Sequence, residues 1–184
     1  GAIPFFFTKK LKKEWKSSLY GLAIGVMLSA SLLGLIAEGL KVGSVNEVLL
    51  GIIIGALFLI LANKMLPENH HFYEKLTGYK SKTLFVIIGV LTIHSFPEGF
   101  AIGTSYASGF DLALLMFIAI AIHNIPEGIS VSIPLAAEGA SKWKMVFLSI
   151  FTSLPQPIGA VIAYVLVKSI APLLPVSFGF AAGA

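Results

Sequence analysis

Five apolar stretches, each long enough to cross a lipid bilayer, dominate this sequence of 184 residues. They cover residues 18–40, 44–64, 83–107, 112–137 and 145–167. A membrane-spanning helix needs about 20 mostly apolar residues. Only 12% of the residues are charged, which is roughly half the share found in soluble domains. We therefore predict an all-α, polytopic transmembrane helical bundle, and not a soluble or nucleic-acid-binding protein.

Two shorter apolar segments, at 1–7 and from 173 onward, flank these spans. Each is too short to cross a bilayer by itself. We therefore interpret residues 1–184 as a single transmembrane domain that is truncated at both ends, with five complete spans and parts of two more.

The lysines in the loops predict how the helices are oriented. Eleven of the 13 basic residues lie in the alternate loops at 8–16, 64–82 and 138–144, whereas Lys41 and Lys168 lie on the other side. Short cytoplasmic loops are enriched in positive charge. We expect the lysine-rich loops in the cytoplasm and the chain in the cell (inner or plasma) membrane. The net charge of +4 then reflects topology and not binding to nucleic acid.

Two of the predicted spans contain ionisable side chains. His94 and Glu98 belong to the sequence His-Ser-Phe-Pro-Glu-Gly, and His123 and Glu127 belong to His-Asn-Ile-Pro-Glu-Gly. A charged residue at the bilayer centre costs about 2.5–3.5 kcal/mol on insertion scales, so such residues normally face a polar cavity or one another. Each histidine lies four residues before its glutamate, on the same helix face. We predict that the four side chains converge on one cation site.

A proline and a glycine accompany each histidine–glutamate pair. Pro97 and Pro126 cannot donate a backbone hydrogen bond, so we expect them to kink or break their helices. Gly99 and Gly128 follow directly after the glutamates. Interrupted helices in corresponding positions are typical of the binding sites of transporters.

The available ligand types restrict the cation. The sequence contains no cysteine, so imidazole and carboxylate are the ligands on offer. These groups favour Zn²⁺, Fe²⁺, Mn²⁺, Co²⁺ or Cd²⁺ over Cu⁺. The ligand set does not choose among these divalent ions.

With both motifs, the sequence resembles the ZIP (Zrt/Irt-like) family of divalent metal transporters, especially its prokaryotic branch. The resemblance also covers the apolar start at 1–5, the stretch at 25–27, the element at 155–159 and the final residues 178–184. It implies an eight-helix transporter, of which this chain would hold the end of helix 1, helices 2 to 6 and the start of helix 7. It also implies an extracytoplasmic N-terminus, in agreement with the lysine-rich loops being cytoplasmic.

The resemblance further implies which residues hold the metal. The primary site would comprise Met27, His94, Glu98, His123 and Glu127. A second site would add Ser95, Asn124 and Gln156 to the two glutamates. Ser95 stands where asparagine is usual, and Gln156 stands where prokaryotic relatives often have glutamate. We therefore predict that the second site is weak or absent.

Some of these residues have a second interpretation. Met27 could be a packing residue, and Gln156, which lies between two prolines, could bond to backbone groups that the prolines leave free. His70 and His71 could be ordinary loop residues or part of a cytoplasmic loop that captures metal.

These features predict transport of a divalent metal ion, zinc foremost but also iron, manganese or cadmium, toward the cytoplasm. The metal would be the transported substrate, and the other expected partner is the lipid bilayer; a homodimer is left open. The resemblance favours movement of helices 4 to 6 against helices 2 and 7. The alternative is an intramembrane metal-dependent hydrolase, because a metal held by histidine and glutamate can activate water. The sequence has no His-Glu-x-x-His motif, and no separate general base is evident.

Overall fold

The computed structural model shows a chain that is mostly helical. The residues that it describes are 2–7, 13–65, 74–75, 78–79, 82–169 and 173–184. His70 and His71 lie outside these ranges, and the side chain of Met27 is also outside the described part. The roles predicted for these three residues therefore stay predictions.

The described helices follow one another without an intervening strand. A 3₁₀ segment covers Ile3–Phe6, and α1, Lys13–Ser29, continues through a π-helix, Ala30–Ile36, into α2, Ala37–Val42. The remaining helices are α3, Val45–Lys64; α4, Lys82–Ser108; α5, Phe110–Ala137; α6, Lys142–Ser153; α7, Pro155–Ser169; and α8, Leu174–Gly183.

Among the described residues, five helical stretches are long and apolar enough to cross a membrane. They are Ile24–Val42, Val45–Lys64, Leu84–Ser108, Phe110–Ala137 and Lys142–Ser169. Large apolar side chains are exposed along all of them, as expected of a surface that faces lipid. The predicted polytopic helical bundle is confirmed.

Local sequence signals explain where two of these helices begin and end. Ser44 caps α3, because its hydroxyl accepts a hydrogen bond from the backbone N–H of Glu47 while the Glu47 carboxylate accepts one from the backbone N–H of Ser44. This reciprocal arrangement satisfies two donors at a helix start. Helix α5 ends at Ala137, two residues before Gly139, whose φ of 77° suits glycine. The N–H of Ala140 donates to the Leu135 carbonyl, which is a Schellman ending.

The prolines act differently in different spans. The predicted span at 145–167 consists of two helices, α6 and α7, because α7 begins at Pro155, which has no N–H to continue the hydrogen bonding of α6. By contrast, α4 continues through Pro97 and α5 continues through Pro126. The predicted break at the motif prolines is therefore not observed. Each proline removes one backbone hydrogen bond, and the rest of these long helices hold the backbone together.

Two helix pairs approach so closely that their backbones touch. A Cβ atom added at Gly99 of α4 would overlap the backbone of Gln156 in α7, and one at Gly51 of α3 would overlap the Val176 carbonyl in α8. Small residues permit such contact between membrane helices. The α4–α7 pair and the α3–α8 pair are thus the most closely packed parts of the bundle.

The two motifs lie between two apolar clusters. One cluster includes Phe5, Leu84, Ile88, Ile129 and Leu135. The other includes Leu35, Ala101, Met116, Ile120 and Phe178. Residues 94–98 of α4 and 123–127 of α5 separate the clusters along each helix, so the ionisable groups are enclosed by apolar side chains at both ends.

Candidate metal centre

The antiparallel helices α4 and α5 bring three of the predicted ligands together. One ligand atom each from His94, Glu98 and His123 can be chosen so that all three lie within 4.8 Å of one another. Glu98 Oε1 is 3.7 Å from His94 Nε2 and 2.8 Å from His123 Nε2. Glu98 and His123 are buried, and His94 is half-buried.

The contact between Glu98 and His123 is close but is not aligned as a hydrogen bond. Neither Glu98 Oε1 nor His123 Nε2 has a hydrogen-bond partner among the described residues, although the two atoms are 2.8 Å apart. Buried polar atoms normally have such a partner. Glu98 Oε1 and His123 Nε2 could both bind the same cation, and no hydrogen bond between them would then be required. This geometry therefore suits metal binding.

A backbone carbonyl orients His94. The Nδ1 atom of His94 lies 2.9 Å from the carbonyl oxygen of Ala184. A carbonyl can only accept, so Nδ1 is the donor, and Nε2 is the ring nitrogen that faces Glu98 and is available to a metal. Metal-binding histidines commonly donate their second ring N–H in this way.

The second oxygen of Glu98 belongs to a network of amide groups. Gln156 Nε2 donates to Glu98 Oε2 and also to Asn124 Oδ1, the latter at 3.2 Å. Asn124 Nδ2 donates in return to Gln156 Oε1 at 3.1 Å. The side chain of Gln156 thus bonds to side chains, and not to backbone groups as its second interpretation suggested. Gln156 is therefore hydrogen-bonded to one of the three clustered ligands, Glu98, and Asn124 is hydrogen-bonded to Gln156.

Glu127 and Ser95 are buried but stand apart from these contacts. Glu127 is only 7% exposed, and its Oε1 atom has no hydrogen-bond partner in the described part of the chain. It lines a cavity of about 460 Å³ together with Asn124, Ser149 and other residues of α5 and α6. The hydroxyl of Ser95 is fully buried and also lacks a partner among the described residues.

The chain is similar to the ZIP zinc transporter family and to several proteins named as zinc transporters. Residues 67–184 match the model of the ZIP zinc transporter family. The chain is 43% identical over 186 residues to a putative zinc transporter of Arabidopsis thaliana, covering 100% of this chain and 30% of that protein. It is 30% identical over 198 residues to the zinc transporter GufA of Myxococcus xanthus, covering 100% of this chain and 77% of that protein.

A third relative is the zinc transporter ZupT of Clostridium perfringens. The identity is 32% over 203 residues, covering 92% of this chain and 71% of that protein. The chain therefore spans less than a third of the plant relative and about three quarters of the two bacterial ones. All three relatives are named as transporters and not as enzymes.

Proposed function

Because the chain belongs to the ZIP zinc transporter family, we propose that the protein carries divalent metal ions, zinc foremost, through a membrane toward the cytoplasm. The observation that carries this proposal is the meeting of His94, Glu98 and His123 inside helices long enough to span a bilayer. The proposal extends to iron, manganese and cadmium, which accept the same ligand types.

Buried charge explains why a cation belongs here. Among the described residues, the cationic groups within 4 Å of the Glu98 carboxylate are two histidines, each charged only when protonated. The carboxylate of Glu127 has an oxygen with no partner. Burying an unpaired charge costs several kcal/mol, as an order of magnitude. A divalent cation between the helices would neutralise both carboxylates.

The ligands of the primary site form part of the proposal. We assign His94, Glu98 and His123 as its centre, with Glu127 and Met27 as the further ligands that the family resemblance implies. Ser95, Asn124 and Gln156 would form a weak second site. The mutual hydrogen bonds of Asn124 and Gln156 support this weakness, because a second metal would have to displace them.

The packing supports movement of one set of helices against another. Helices α4 and α7 contact each other backbone to backbone, and so do α3 and α8, so each pair would move as a unit. The clustered ligands face Ser31 and Leu35 of the π-helix and Ala181 of α8 across a small cavity. Movement of α4, α5 and the α6–α7 span together, against the helices α1–α2 and α8, would carry the bound cation from one side of the membrane to the other.

The location follows from the lysine distribution and the spans. We propose that the protein lies in the inner or plasma membrane with its lysine-rich loops in the cytoplasm. A homodimer stays a prediction. The hydrolase alternative is disfavoured because the relatives are named as transporters.

Uptake into proteoliposomes that contain a zinc-sensitive dye would test the proposal. We expect the full-length protein to admit Zn²⁺ and the Glu98→Gln variant to lose most of this uptake. Glu138→Gln is the matched control, because Glu138 is exposed at the end of α5. Uptake that survives in Glu98→Gln, or that falls equally in both variants, would refute the proposed role of the clustered ligands.

A further inference from the structure

A small cavity beside the clustered ligands contains one more polar side chain, that of Ser31. The cavity measures about 60 Å³. Its lining includes the three clustered ligands, Ser31 and Leu35 of the π-helix, and Ala181 of α8. Apart from the three ligands, Ser31 is the only residue of this lining that carries a polar side-chain atom.

The hydroxyl of Ser31 is not used by its own helix. Two buried serines elsewhere in the bundle donate to the carbonyl four residues earlier, Ser105 to Ala101 and Ser132 to Gly128. Such back-bonding is the usual fate of a serine within a helix. In the part of the chain that the structure describes, the Ser31 hydroxyl has no hydrogen-bond partner. Its oxygen and its proton are both available to a ligand in the cavity.

The backbone changes its form where Ser31 lies. The helix is α-helical up to Ser29 and π-helical over Ala30–Ile36. π-Helical turns are rare and occur frequently at functional sites. Here the change brings Ala30, Ser31 and Leu35 to the cavity wall, so that a helix outside the α4–α7 unit contributes to the surroundings of the ligands.

The coordination chemistry of the cluster leaves room for one more oxygen. Zinc prefers four ligands in a tetrahedral arrangement, and sites with three protein ligands keep the fourth position open. The cavity has space for the ion and about one water molecule, because a water occupies about 30 Å³ in the liquid. On the basis of the function proposed above, we propose that the hydroxyl oxygen of Ser31 takes the position that the three clustered side chains leave open around the transported cation, in the arrangement in which Glu127 lies outside the cluster.

This position gives Ser31 a distinct role in transport. The three clustered ligands belong to α4 and α5, whereas Ser31 belongs to the helix that faces them, so the cation would join the two sets of helices. A neutral hydroxyl binds more weakly than an imidazole or a carboxylate. The cation can therefore leave Ser31 when the helices shift and stay with His94, Glu98 and His123.

Replacing the hydroxyl by a thiol would make this contact visible. Thiolate is a soft ligand that favours Cd²⁺, so Ser31→Cys should gain a thiolate-to-cadmium charge-transfer absorption and prefer Cd²⁺ over Zn²⁺ at least tenfold more than the wild type. Ser31→Ala should weaken Zn²⁺ binding about tenfold, which is the lower end of the effect of a supporting metal contact. Both ions would be titrated into the purified full-length protein in detergent.

Ser29→Cys and Ser29→Ala are the matched controls. Ser29 lies two residues earlier on the same helix, is exposed and lines a different, apolar groove between α1 and α5. These controls should bind both ions like the wild type, without the charge-transfer band. The inference is overturned if Ser31→Ala binds Zn²⁺ like Ser29→Ala, or if Ser31→Cys shows no cadmium band.

Uptake by the same proteins separates this inference from the proposed function. If the wild type transports Zn²⁺ while the Ser31 variants match the Ser29 controls in binding, the role of Ser31 fails and the transport function stands. If the Ser31 variants change binding as expected but the wild type admits no Zn²⁺, the transport function fails and the contact at Ser31 stands.

Discussion

Glu98 and Glu127 occupy the same place in two similar motifs, four residues after a histidine and directly after a proline. Their surroundings in the structure differ. One oxygen of Glu98 faces His94 and His123, and the other accepts a hydrogen bond from Gln156. Glu127 is as deeply buried, and its Oε1 atom, like that of Glu98, has no hydrogen-bond partner among the described residues. Unlike Glu98, it has no histidine nitrogen within 4 Å in that part of the chain.

This contrast separates two roles that the repeated motif does not distinguish. Glu98 contacts His94, His123 and Gln156 before any metal arrives, whereas Glu127 has a buried oxygen to which a cation would supply the missing partner. The following variants test whether the two glutamates differ in this way.

The largest expected effect comes from removing the carboxylate of Glu98. Glu98→Ala takes away a ligand and leaves His94, His123 and Gln156 without their common partner. We expect Zn²⁺ affinity to fall by more than about 100-fold, beyond the usual effect of losing a supporting contact. Isothermal titration of Zn²⁺ into the purified protein would measure this loss, and a decrease below tenfold would contradict a central role for Glu98.

Replacing Glu127 should make the metal-free protein more stable. Glu127→Gln replaces a buried acidic group, one oxygen of which lacks a partner, by a neutral amide. We therefore expect the metal-free protein to gain about 1–3 kcal/mol of stability. The same variant should gain less stability from added Zn²⁺ than the wild type does. Thermal unfolding with chelator and with Zn²⁺ would show both effects. Equal stability changes in Glu98→Gln and Glu127→Gln would erase the distinction between the two residues.

We expect the close packing of α4 on α7 to maintain the hydrogen bond between the side chains of Gln156 and Glu98. Gly99→Ala places a methyl group against the backbone of Gln156, and overpacking of this kind costs about 1–3 kcal/mol. Gly25→Ala is the control, because a methyl group there meets no atom within 4 Å. Unfolding temperatures and Zn²⁺ affinity should both fall in the first variant and stay near wild type in the second. If both variants had the same unfolding temperature and the same Zn²⁺ affinity, the close contact between Gly99 and Gln156 would not be needed.

A change at Gln156 should alter the Zn²⁺ affinity of the primary site least. It should instead change the number of metal ions that the protein binds. Gln156→Glu replaces an amide that bonds to Asn124 and Glu98 by a third carboxylate. If the second site is weak because it lacks charge, this variant should bind two metal ions where the wild type binds one tightly. Metal analysis after gel filtration would count them. Two tightly bound ions in the wild type would show that the second site is already strong.

The sequence predicted the arrangement within each helix better than the arrangement between helices. The spacing of His94 and Glu98 placed both on one face of α4, because helical periodicity is local. That Glu127 is not among the three side chains within 4.8 Å of one another depends on how α5 lies against its neighbours, which its own sequence does not encode. The division of the predicted span at 145–167 was foreseeable in part, since Pro155 cannot continue a helix.

Ser31 was missed for a related reason. It is a polar residue in an apolar span, but single serines are common there and their hydroxyls usually bond to their own helix. Its relation to the ligands arises from the π-helix and from packing of α1 and α2 beside α4 and α5. Met27, which the family resemblance favoured, lies one helical turn earlier, and its side chain is outside the described part of the structure.

Anomalous X-ray scattering from crystals of the full-length protein soaked with Zn²⁺ would test the central claim most directly. The account predicts a strong peak between α4 and α5, about 2.0–2.2 Å from the Nε2 atoms of His94 and His123 and from a carboxylate oxygen of Glu98. A fully loaded crystal whose anomalous peaks all lie elsewhere, with none among these three side chains, would contradict it.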